Sequence, residues 1–261
     1  MRELSTAERT QLRARVFVKA VLPLLETVVA HAPVYARPFA GVSANVRFAT
    51  ADGAHGATLE FVAGRLRVVT ETPEKPRVEF GFRDAGALNT FFAGGLTWPR
   101  LSGLTQPWLI VKVLRLMLSL QVLKPGPAPR DAGERALRVR LVLTLVSRAL
   151  VELYFGGYPG MVDLVQDSPE RVYQWTVERE NIAVWLRMHE GKVKAGDGVY
   201  PHRAPFVHFV FRDVDAALGV FGASEHMSGV RDGAVQTLGS PEYTRKVAYL
   251  MQCMDQLLVE G

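Results

Sequence analysis

The stretch VEFGFRDAGALNTFF at 78–92 returns as VHFVFRDVDAALGVF at 207–221, an offset of 129 residues. A repeat that long is a duplicated domain, because the short-period repeats that build solenoids recur every few tens of residues. In each copy apolar side chains alternate, with Val78, Phe80 and Phe82 in the first and Val207, Phe209 and Phe211 in the second. That period of two predicts a half-buried strand. Asp84 and Asp213 follow at matching places, where a carboxylate can accept the free N–H groups that open a helix. Ala87, Leu88, Phe91 and Phe92 then match Ala216, Ala217, Val220 and Phe221 at helical spacing.

The likeness extends in both directions. Pro76 and Pro205 open the aromatic strands at the same offset. Upstream, LEFVAGRLRV and LRMHEGKVKA predict two hairpins, with Gly64 and Gly191 where a tight turn needs positive φ. Val46 and Phe48 alternate in one half, as do Trp175 and Val177 in the other. Each half begins with a helical stretch, ERTQLRARVFVKAVLPLLE and ERALRVRLVLTLVSRALVE. The second is rich in β-branched residues, so strand stays open there. Each half ends in a helix opened by proline, at 107–123 and 241–258. The stretch KPGPAPRDAG at 124–133 has the turn chemistry of a boundary. The expected architecture is α+β, a duplicated fold of domains 1–128 and 129–261, each a mixed or antiparallel sheet covered by helices.

Composition narrows the function. Hydrophobic residues make up 48% and charged residues 22%, enough for a sizeable core. The single cysteine, Cys253, allows no internal disulfide, and the N-terminus does not read as a signal peptide. A cytoplasmic location is expected. The apolar stretches 104–123 and 137–155 are interrupted by Lys112, Arg115 and Arg148, which argues against a membrane span. A formal charge of +5 without basic clusters excludes a nucleic-acid platform. It leaves room for weak contact with an anionic membrane surface.

The hairpin MHEGKV, the strand and helix FVHFVFRDVDAALGVF, and MSGV at 227–230 together resemble the sterol carrier protein type-two family of sterol-binding and sterol-transfer domains. The first half carries FVAGRL, RVEFGFRDAGALNTFF and LSGL at 101–104 in the same order. The resemblance covers most of 40–123 and 170–258. It implies a five-stranded mixed sheet with helices on one side, and between them an apolar tunnel for a fatty acyl chain or sterol that the last helix closes. The turns MSGVRDGAVQTLGSPEY and LSGLTQPWLIV are short or irregular beside the family pattern, so the last strand is expected to be missing or displaced.

The expected function is therefore non-catalytic binding or transfer of an apolar ligand, with no cofactor and no metal. The expected pocket in the second half is lined by Phe209, Phe211, Val220, Phe221, Leu250, Met251 and Met254. In the first half the counterparts are Phe80, Phe82, Phe91, Leu114 and Met117, with Trp108 placed to fill the space. The alternative is a tandem-domain interaction or dimerisation scaffold, a homodimer included, whose helices fill any tunnel themselves. His189, His202 and His208 lack metal-ligand spacing, and His208 reads as a satisfied sheet residue. Asp213 and Asp215 stand at a helix start, where capping explains them better than acid–base work. The helix at 107–123 is apolar most of the way round. It must be buried on several sides, as between the two halves, or meet lipid as a tunnel wall or gate.

Overall fold

The computed structural model describes residues 4–70, 75–103, 106–124, 126–166, 169–222, 233 and 235–259. They form two compact units, one holding Leu4–Val122 together with residues 256–259 at the end of the last helix, the other built on Leu123–Asp255. Both are α+β.

In the first unit, α1 (Thr6–Val16) passes through one wide turn at Phe17–Val21 into α2 (Leu24–His31) and the short α3 (Pro33–Ala36). Then come β1 (Ala44–Thr50), β2 (Gly56–Val62), β3 (Arg65–Val69), β4 (Val78–Phe82), α4 (Ala85–Ala93), β5 (Arg100–Ser102) and α5 (Pro107–Leu118). The second unit holds α6 (Ala132–Phe155), α7 (Pro159–Val165), β6 (Arg171–Val177), β7 (Ile182–His189), β8 (Lys192–Asp197), β9 (Val207–Phe211), α8 (Val214–Gly222), β10 (Val235–Gly239) and α9 (Pro241–Val259).

The sheet orders are β3-β2-β1-β4-β5 and β8-β7-β6-β9-β10, the same topology twice. In each, the central pair is parallel (β1 with β4, β6 with β9) and every other pair is antiparallel. A fifth strand is present in both halves, as the family resemblance implies; it was expected to be missing or displaced, and it is not missing. The glycine that follows LS in the first half marks its end. A Cβ on Gly103 would lie 1.9 Å from the Arg77 carbonyl oxygen, and one on Gly239 would lie 2.1 Å from that of Phe206. These are equivalent places, one residue before β4 and β9. Leu101-Ser102-Gly103 therefore corresponds to Thr237-Leu238-Gly239. Met227-Ser228-Gly229 was expected in that role but lies outside the described residues.

Local chemistry repeats atom by atom. Ala63 and Gly64, and Glu190 and Gly191, all have positive φ, as two-residue type I′ hairpin turns demand. Asp84 accepts from the Ala87 N–H at 2.8 Å, and Asp213 from the Ala216 N–H at 2.9 Å. Arg83 and Arg212 donate back to the same carboxylates. The capping N–H first, then the arginine, hold both acids below the usual carboxylate range. Ala51 and Glu178 donate to the carbonyls of Phe82 and Phe211, so those two phenylalanines are equivalent.

The helical layers differ. The second opening segment is one continuous helix, α6, which settles the strand alternative for 134–152. In the first, the Leu22 N–H reaches the Phe17 carbonyl, an i→i+5 bond, and Pro23 follows. The Asn89 side chain donates to the Thr10 carbonyl at 2.9 Å and ties α4 to α1. Glu26 accepts from the Val68 N–H at 2.6 Å, which occupies part of the free edge of β3. Among the described residues no single helix is long and apolar enough to cross a membrane. One bent pair, Thr6–His31 with Pro33–Phe39, passes by length and composition only, and its apolar residues Leu12, Val16, Leu22, Leu24 and Leu25 are buried.

Candidate functional site

The inner face of each sheet follows from register. Residues paired directly across strands share a face. Val46, Phe48 and Thr50 therefore lie with Val78, Phe80 and Phe82. Tyr173, Trp175 and Val177 lie with Val207, Phe209 and Phe211. Register also fixes the equivalence that alternation left open: Phe48 corresponds to Trp175. Each forms a parallel stack with its partner, Phe48 on Phe80 at 4.6 Å and Trp175 on Phe209 at 5.4 Å between ring centres.

The first half fills its inner layer with aromatic rings. Phe17 stacks on Phe92, Phe92 meets Phe48, Phe48 stacks on Phe80, and Phe91 touches Phe80, Phe82 and Phe92. Phe80 and Phe82 are fully buried and Phe91 is half-buried. The remaining residues expected in this pocket are placed differently. The buried stripe of α5 is Leu109, Ile110, Val113 and Leu116. Met117 is half-buried, while Leu114 is 37% exposed and Trp108 47% exposed. Trp108 therefore does not fill the layer, and Leu114 lies on the outward side of its helix.

The second half is built with smaller residues over the sheet. Where α4 has Leu88 and Phe91, α8 has Ala217 and Val220. Phe209, Phe211 and Val220 are buried, and Phe221 is half-buried at 5.5 Å from Phe211. Leu250, Met251 and Met254 lie on the buried stripe of α9 with Val247. Tyr243, near the start of α9, meets Phe206 edge-on at 5.2 Å, and the Arg171 guanidinium lies 4.0 Å from the Tyr243 ring centre.

Two polar atoms are stranded on this inner face. Trp175 Nε1 and the Tyr173 hydroxyl are buried, and neither has a hydrogen-bond partner. The indole N–H can only donate. Burial pushes the Tyr173 phenol up to about 12; the Arg171 guanidinium beside it favours the phenolate but, having no acceptor, leaves the phenol O–H unpaired. The sign follows from linkage. The phenol ionises more readily in the unfolded chain, so its contribution to stability is complete below the ordinary value of 10.0 and is lost as pH rises through about 12. Absorbance titration of the tyrosines should show a late group near that value, and Tyr173→Phe should remove it.

Sequence reasoning missed a concavity on the opposite face of the second sheet. An open cleft of about 430 Å³ is lined by Glu170, Trp185, Arg187, Lys194, Tyr200, Pro201 and His202. Trp185 lies over its cross-strand neighbour Gly196, where an added Cβ would come within 2.3 Å of the indole. Tyr200 packs edge-on to Trp185 at 5.0 Å, and its N–H donates to the buried Gln174 side chain. Glu170 accepts from Arg187 at 2.6 Å and Arg203 at 3.0 Å, and Arg187 foremost keeps it ionised. A tryptophan at an outward strand position opposite a glycine was the legible signal. On the same face His208 shares a 2.9 Å hydrogen bond with Thr176, and burial lowers its pKa, as for a satisfied sheet residue.

No family model matches this chain, and no curated protein matches it. Among solved structures, a double mutant of the sec-alkyl sulfatase PisA1 is similar at 12% identity and a TM-score of 0.26, over 64% of this chain and 31% of that one. The stereoselective inverting sec-alkylsulfatase Pisa1 from Pseudomonas sp. is similar at 12% identity and a TM-score of 0.24, over 55% of this chain and 28% of that one. The chain thus spans about a third of the length of those enzymes, and a likeness of that degree establishes neither fold nor function.

Proposed function

We propose that the chain binds an apolar ligand, a fatty acyl chain, sterol or similar lipid, without catalysis, in the inner layer of its second half. The observation that carries this reading is the pair of stranded donors, Trp175 Nε1 and the Tyr173 hydroxyl, in an otherwise apolar layer. A buried donor left unpaired costs about 1–3 kcal/mol, and a ligand oxygen would recover it. Above them Ala217 and Val220 stand where the first half has Leu88 and Phe91, so the helix contributes smaller side chains over the sheet. Each buried methylene of a ligand contributes about 0.8 kcal/mol, so about ten of them supply roughly 8 kcal/mol before ordering costs. Such a site binds tightly and discriminates loosely.

Protein purified from cells is expected to show copurified lipid in native mass spectra. Met251→Asp is expected to abolish binding of a fluorescent fatty acid, because an unpaired charge in an apolar layer is costly. Thermal melting of the same variant establishes that it is folded. Undiminished probe binding by folded Met251→Asp protein would exclude this pocket.

For the first half, the run of ring contacts from Phe17 to Phe82 favours the scaffold reading. Its layer is occupied by its own side chains.

A further inference from the structure

The outward side of α5 carries four large apolar residues exposed along one helix. Val111 is 64% and Leu118 58% exposed, with Trp108 and Leu114 on the same outward stripe. At 100° per residue these four positions fall within about a third of a turn, opposite the buried stripe of Leu109, Val113 and Leu116. A helix with apolar residues on both faces has a second partner.

Charge identifies that partner. No aspartate or glutamate occurs between Asp84 and Asp131. The same stretch carries Arg100, Lys112, Arg115, Lys124 and Arg130, as many positive charges as the chain's whole formal excess of +5. Lys112 borders the apolar stripe beside Trp108, its ammonium 4.6 Å from the Trp108 ring centre, and Arg115 lies within the stripe between Trp108 and Val111, its long stem able to carry the guanidinium out to the headgroups. Within the same acid-free stretch, Leu96 is 96% and Trp98 89% exposed. Exposed tryptophan and leucine among lysine and arginine, without a carboxylate, is the chemistry of a segment that lies in the headgroup region of an anionic bilayer.

We infer that the outward face of α5 docks on an anionic lipid surface, with Trp108, Val111, Leu114 and Leu118 entering the interface and Lys112 and Arg115 among the headgroups. This goes beyond the ligand site of the second half and stands or falls separately from it. Among the described residues no carboxylate engages Lys112 or Arg115, which leaves both for lipid phosphates.

The test is sedimentation of the full chain with vesicles of equal parts phosphatidylcholine and phosphatidylglycerol, beside vesicles of phosphatidylcholine alone. Binding to the anionic vesicles is expected, weakening as salt rises, with little binding to the neutral ones. The double variant Lys112→Glu, Arg115→Glu is expected to lose at least about tenfold in partitioning, at about 1 kcal/mol per basic residue near the surface. Val111→Ser with Leu118→Ser should lose binding at all salt concentrations. All four positions are surface positions, and unchanged melting temperatures would establish that the variants fold. Absence of binding to anionic vesicles at low salt overturns the inference, as does equal binding by wild type and both variants. A concentration-dependent dimer that Val111→Ser with Leu118→Ser dissociates also overturns it and assigns the face to a second copy of the chain.

Discussion

Gly239→Ala is expected to destabilise the second half by on the order of 3–5 kcal/mol, and Gly103→Ala the first half by a similar amount. Two costs add. Both glycines have positive φ, 105° and 78°, where a Cβ is strained. Both would also drive that Cβ into a backbone carbonyl, of Phe206 and of Arg77, that strand pairing holds in place. Calorimetry should show a melting temperature lower by roughly 10 °C or more. Gly198→Ala is the control: φ there is 85°, but nothing lies within 4 Å of an added Cβ. It carries the strain alone, about 1–2 kcal/mol. Equal losses at Gly239 and Gly198 would show that the close approach to Phe206 is not what holds the fifth strand.

The second large effect is expected at the centre of each sheet. Trp175→Ala and Phe48→Ala should each cost about 3–5 kcal/mol, since both remove a fully buried ring stacked on the neighbouring parallel strand. The two substitutions should differ in their conservative versions. Phe48→Leu loses ring stacking and leaves a void. Trp175→Phe also leaves a void but keeps a ring against Phe209, and it removes a buried N–H with no partner, which offsets part of the loss. Urea unfolding of the four variants measures this. If Trp175→Phe costs as much as Trp175→Ala, the indole N–H is satisfied in the folded protein and the argument for a ligand oxygen beside it fails.

The parts of the fold that were legible share one property: their signal is local and has a fixed phase. Val78, Phe80 and Phe82 alternate over five residues, and an Asp and an Arg stand at the helix start in both copies. Gly64 and Gly191 sit at the second position of a two-residue turn that accepts almost nothing else. The match of Phe48 with Trp175 was not legible. Alternation has a period of two, so sliding one copy by two residues leaves every side chain on its proper face; only the pairing of β6 with β9 fixes the register. The fifth strand was missed because β5 is three residues long, too short to show a period, and because its closing Ser-Gly looks like an ordinary turn. The outward stripe of α5 was misjudged for a different reason. A helix apolar all round says that it has partners but not which side each is on.

The wide turn at Phe17–Val21 bears on how two copies of one fold grow apart. An insertion in an α-helix rotates everything beyond it by 100° per residue, which would carry a buried face into solvent. Opening one turn to i→i+5 takes up a single added residue locally and returns the helix to phase. Strands have no such slack, since one added residue exchanges their two faces or must be bulged out of the ladder. A lineage descending from one duplicated ancestor would therefore accumulate length changes in its opening helices and loops while its ladders stayed fixed. That is the pattern here, a broken first helix against a continuous α6 over two sheets of identical order.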